Sequence, residues 1–178
     1  MKIILLAGQS ISNRDWVESV EEEFKKEFSN TQVIRYSHWV VDNGKADIEY
    51  ESKKLVDVIN GLDEEYIVFA KSIGTLIFLN SVSRLNRVPN GVLMLGIPLY
   101  LSKAIGFDID SCVRGIDFNI EIYQKELDTA GSLEDIRYLD SEYIHIKKYE
   151  CVGEENDNHR YSNLGYICKL LEKVVHGK

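Results

Sequence analysis

Tyr66-Ile67-Val68-Phe69-Ala70-Lys71-Ser72-Ile73-Gly74-Thr75 leaves few folds open to this chain. Five residues rich in β-formers end at a small residue, then come a serine, a glycine and an almost wholly apolar helical run. That order throws one serine off the end of a buried strand at a tight strand-to-helix turn. Bulky residues two places before or after the serine would collide with the opposing backbone, which is the physical content of G-x-S-x-G. Here it reads Ala70-Lys71-Ser72-Ile73-Gly74, with alanine in the first small slot. A phosphate-binding loop of the form G-x-x-x-x-G-K-[ST] would need glycines where Glu65 and Ala70 stand, so that reading fails. The plainer alternative is a serine that caps the helix beginning at Ile73.

The segments around this stretch alternate strand and helix. Lys2 to Ala7 is an unbroken apolar run, as expected of a strand covered on both faces. Trp16, Val20, Phe24 and Phe28 then mark one helix face, and Thr31 to Tyr36 reads as a second strand. Asp47 to Asn60 is a helix stopped at Gly61. Val92 to Leu95 is a fourth strand, and Gly96 to Ile116 has no clean period and reads as loop with a short helix. Asn119 to Tyr123 is a fifth strand, Ser132 to Leu139 a short helix and Tyr143 to Lys148 a sixth strand. An amphipathic helix spans Ser162 to Val175.

Strict alternation predicts a single α/β domain over residues 1–178: three layers, a mostly parallel six-stranded sheet and helices on both faces. Loops that follow strands gather at one sheet edge, where ligands bind in such folds. A chain of 178 residues with 44% hydrophobic and 28% charged content fits that size and class. The net charge of −8 argues against nucleic-acid or anionic-membrane partners. Cys112, Cys151 and Cys168 are odd in number and widely spaced, so no disulfide framework or metal site is expected. The apolar run at the start is too short for a signal peptide or a membrane span, which makes a cytoplasmic location the expectation.

A nucleophilic serine needs a base, and the base needs an acid to orient it. Of four histidines, His145 lies inside the sixth strand and His176 in the C-terminal tail. His38 follows the second strand at the correct edge and, with Trp39, could line a pocket. His159 sits in the long polar loop after the sixth strand, which can reach back over the sheet edge, and is the favoured base. Asp128, just past the fifth strand, is the favoured acid. Its rival is Asp157, two residues before the histidine.

In this order, strand-Ser-helix, strand-Asp and loop-His, the chain resembles the α/β-hydrolase superfamily over nearly its whole length. It is most similar to small, lidless members with K-S-[IL]-G-T at the elbow. Gly96-Ile97-Pro98-Leu99 looks like that family's turn beside the nucleophile, Gln124 to Asp128 like its acid loop, and Asn158-His159 like its histidine loop. The resemblance implies Ser72 as nucleophile, His159 as general base and Asp128 as the group orienting it. The backbone N–H groups of Ile73 and Gln9 would form the oxyanion hole, and Pro98 would flank the pocket. It implies a small ester or thioester substrate, an acyl-enzyme and no cofactor or metal. Two departures stand out: Lys125 replaces a common glycine in the acid loop, and Ala7-Gly8-Gln9 replaces the usual His-Gly after the first strand. A hydrolase scaffold kept as a non-catalytic binding module is the alternative that the second departure favours.

Overall fold

The computed structural model describes residues 1–40 and 44–177. Six strands form one sheet: β1 (Lys2–Leu6), β2 (Thr31–Val33), β3 (Tyr66–Lys71), β4 (Gly91–Leu95), β5 (Ile120–Gln124) and β6 (Ile144–Lys148). Their spatial order is β2-β1-β3-β4-β5-β6, and every pairing is parallel. β1, β3 and β4 are apolar on both faces because helices cover both, and the residues of β3 and β4 are all buried. β2 stops at Val33, three residues short of the expected end. Beyond it Tyr36 turns inward and donates its hydroxyl to Ala7 O at 2.9 Å, then a 3₁₀ turn carries the chain through Ser37–Val40.

The helices are α1 (Ser12–Phe24), α2 (Ile48–Asn60), α3 (Ile73–Ser81), α4 (Leu99–Ala104), α5 (Ile109–Val113), α6 (Leu133–Ile136) and α7 (Leu164–His176). α1 packs beside α7, and α2 and α5 pack against α3. Gly96 to Ile116, the segment without a period, contains α4 and α5. α3 is apolar all round because it lies at the centre of its layer, with Leu76, Ile77 and Phe78 fully buried. Each such side chain contributes about 1.5–3 kcal/mol through removal from water. The elbow is therefore set on a centrally buried helix.

The chain leaves β1 for the outer strand β2 and returns beside β1 as β3, so the order of winding reverses between β1 and β3. At that reversal the loops following β1 and β3 diverge and leave a crevice at the carboxyl edge of the sheet. Gln9 follows the first of these strands and Ser72 the second.

Candidate active site

Ser72 has φ 56° and ψ −125°, the positive φ unique to it among the described non-glycine residues. A serine held there costs on the order of 1–3 kcal/mol, and the surrounding contacts must enforce it. They are visible on both sides of the turn. Ser72 N–H donates to Leu95 O at 3.0 Å, and Gly74 N–H donates to Ala7 O at 3.1 Å. A Cβ on Gly74 would lie 2.8 Å from Ala7 O and from Leu6 Cβ, so only glycine lets α3 start this close to the end of β1. Although Ser72 occupies the N-cap position, its side chain makes no capping bond. Its hydroxyl is directed instead to His159 Nε2, at 2.8 Å.

The imidazole of His159 spans from that hydroxyl to Asp128. Nδ1 lies 2.8 Å from Asp128 Oδ1 and 2.9 Å from Oδ2. Asp128 is held by two further donors, Tyr161 Oη at 2.7 Å and Ala130 N at 2.8 Å. Burial, then the charge and hydrogen bond of Asp128, push the Tyr161 hydroxyl well above its ordinary range, so it stays a donor. Gly96, with φ +61°, leaves room for the ring: a Cβ there would lie 2.8 Å from His159 Cε1 and 2.6 Å from Tyr161 Cε2. Asp157, the rival acid, is exposed and does not bond the imidazole.

Lys125 explains how a long polar loop holds one histidine in place. Its side chain is fully buried and its ammonium donates to Glu154 Oε2 at 3.0 Å, Glu155 O at 2.6 Å and Asn158 Oδ1 at 3.3 Å. It also lies 5.3 Å from the centre of the Tyr161 ring. Glu154 in turn accepts from Tyr149 Oη, Ser162 N–H and Asn163 N–H. Burial pushes the Glu154 carboxyl up, but the Lys125 ammonium and these donors bring it below the usual range. Gln124, also buried, joins the turn after β4 to the acid loop by accepting from Ile97 N–H at 2.8 Å and donating to Gly131 O.

On the other side of His159 the loop after β1 closes the crevice. Gln9 O accepts from His38 Nε2 at 2.7 Å and Trp39 Nε1 at 3.1 Å. Both rings line the site, as expected, and they also brace the Gln9 peptide from behind. The N–H groups of Gln9 and Ile73 find no protein acceptor among the described residues. Pro98 is the correction: it is buried at the N-cap of α4, outside the cavity lining, next to Ile97, whose N–H bonds the buried Gln124. Among the described residues no group of side chains suited to a metal ion occurs, nor a helix long and apolar enough to cross a membrane.

The cavity in front of Ser72 and His159 measures about 810 Å³ and is bounded by the Gln9–Asn13 loop, Trp16, Trp39 and the 158–162 segment. Lys71 also opens on it, a residue quoted in the elbow but given no role by sequence reasoning. Tyr161, Asn13 and the Lys125–Glu154 pair were missed as well. The one signal for any of them was the lysine standing where glycine is common.

No protein-family model and no curated protein sequence matches the chain. Solved structures do. A protein described as a YdeN-like hydrolase from Pectobacterium atrosepticum superposes with a TM-score of 0.71 at 17% identity, over 98% of this chain and 90% of that one. The mouse alpha/beta hydrolase domain-containing protein 10 superposes with a TM-score of 0.66 at 11% identity, over 99% and 90%. The chain has the α/β-hydrolase fold.

Proposed function

We propose that this protein is a serine hydrolase that cleaves a small carboxylic ester or thioester through an acyl-enzyme. The observation that carries the reading is the unbroken chain from Ser72 Oγ through His159 to Asp128, each step 2.8 Å, starting from a serine in a strained elbow. His159 Nε2 takes the hydroxyl proton as the oxygen attacks the acyl carbon, and returns it to the leaving group. Water then releases the acid with the same base. Asp128 accepts the Nδ1 proton and so keeps Nε2 free to act. The N–H groups of Ile73 and Gln9 are the donors for the developing oxyanion, each worth about 3 kcal/mol by the mutational precedent. That Ile73 opens α3 adds the positive end of a helix to the same point.

Intact mass after treatment with a fluorophosphonate tests this. One adduct per chain on Ser72, absent from folded Ser72→Ala, is the expected result. A wild-type protein that stays unmodified sinks the proposal and leaves the scaffold a binding module.

A further inference from the structure

We infer that the cavity selects substrates bearing a carboxylate, and that Lys71 seats it; the inference rests on the hydrolase reading above and names its substrate class. Lys71 is 7% exposed. Its ammonium donates to one neutral acceptor, Asn13 Oδ1 at 3.0 Å, and lies 5.4 Å over the Trp16 ring. Among the described residues no carboxylate forms an ion pair with it. An ammonium has three donors, so two remain for whatever fills the cavity.

The surroundings are built around this side chain. Gly8 keeps free the space taken by Asn13, since a Cβ there would fall 2.5 Å from Asn13 Oδ1. Asn13 Nδ2 is itself anchored on Ser10 Oγ, which fixes the amide oxygen toward Lys71. The charged side chains among the described lining are Lys71 and Arg160, and no carboxylate belongs to that lining. This holds in a chain whose net charge is −8. Burial brings Lys71 down to about 8, with the Asp128 charge holding it up and Lys125 pushing it lower. It is therefore cationic at neutral pH, desolvated and short of partners. Such a charge binds an anion more strongly than a surface lysine does.

Two matched ester pairs test the inference. On the acyl side these are para-nitrophenyl hydrogen adipate and para-nitrophenyl hexanoate; on the alcohol side, para-carboxyphenyl acetate and para-carbamoylphenyl acetate. In at least one pair the carboxylate member should have the higher kcat/KM by about tenfold or more, as a charge-assisted hydrogen bond provides. Lys71→Met should bring that ratio below about twofold, and Lys71→Arg should retain most of it. A wild-type protein without preference in either pair overturns the inference, whether or not the Lys71 variants fold. Binding gives a second readout, because both tryptophans of the chain, Trp16 and Trp39, line the cavity. Adipate should change the emission of Ser72→Ala protein saturably, and not that of the Ser72→Ala, Lys71→Met double variant. Lys71-dependent adipate binding without any turnover or fluorophosphonate adduct would remove the hydrolase and keep the anion site. Turnover indifferent to charge would do the reverse.

Discussion

Lys71 and Lys125 are both buried lysines at strand ends: Lys71 closes β3 beside Ser72, and Lys125 follows β5 shortly before Asp128. Lys125 meets a carboxylate, a carbonyl and an amide, all of which pin the 149–163 loop. Lys71 meets one amide oxygen and a ring face. The side of the imidazole that carries Asp128 is closed and fully bonded, whereas the side that carries Ser72 is open and under-bonded. The difference separates two uses of a buried charge. A saturated one builds the frame, and an unsaturated one waits for a ligand.

The largest expected effect lies on the closed side. Asp128 accepts the Nδ1 proton, and asparagine would offer that nitrogen the wrong partner and favour the wrong tautomer. Asp128→Asn should lower kcat by about three to four orders of magnitude with the fold intact, by the protease precedent. Steady-state kinetics on one ester, with circular dichroism to check folding, measure it; a loss under about tenfold would show that the closed side does not orient the base.

Next comes the frame itself. Lys125→Met leaves Glu154 buried without its cation, so unfolding in urea should show a loss of about 3–5 kcal/mol. Adding Glu154→Gln should recover part of that loss. If the single variant is as stable as the wild type, Lys125 is no staple and the contrast with Lys71 collapses.

Lys71 should move stability the other way. Its ammonium is held down to about 8 from an ordinary 10.5, mainly by burial. Below pH 8 both folded and unfolded chains carry this proton, and the full cost of burying the charge is present. As pH rises from about 8 toward the ordinary lysine range, the folded chain gives up the proton first and the cost is relieved. Lys71→Met should therefore be more stable than the wild type at pH 7 by about 1–3 kcal/mol, with the gap closing by pH 10. Asp128, Lys125 and His159 also face this region, so the comparison is made between the two proteins at each pH. A variant less stable than wild type at pH 7 would make Lys71 a structural residue like Lys125.

Sequence reasoning reached the sheet because buried parallel strands read as apolar runs bounded by turn residues, and β3, β4 and β5 begin and end within a residue of expectation. It reached the strained turn at Ser72 because such a turn is local: sterics over five residues dictate small neighbours. It could not reach the lysines' roles. Lys125 touches Glu154 and Asn158 across 29 and 33 residues, and Lys71 touches Asn13 across 58. Neither contact leaves a periodic or compositional trace. Read locally, Lys125 was a missing glycine, and only the returning loop gives its ammonium a purpose. Pro98 failed for the opposite reason: a turn beside the nucleophile need not open on the pocket, and this one is tied to a buried glutamine and buries its proline at the start of α4.

The smallest effect is expected at Asp157, and it checks whether proximity in sequence carries any weight here. Asp157 lies two residues from His159, closer along the chain than any other carboxylate, yet its side chain is exposed. The loop presents His159 inward by anchoring its neighbours: Asn158 through Lys125, and Tyr161 through Asp128. With both flanks fixed, Asp157 is turned to solvent and has no route to Nδ1, which Asp128 already fills with both oxygens. An exposed charge at that place acts on the imidazole through high-dielectric solvent, where two charges even 4 Å apart interact by only about 1 kcal/mol. Asp157→Asn should therefore change kcat by less than about tenfold, which is about 1.4 kcal/mol in the barrier. Assayed beside Asp128→Asn on the same ester, a larger loss at Asp157 would transfer the orienting role to the histidine's own loop. The division at His159 would then lie between two faces of one loop, and no longer between a closed frame and an open cavity.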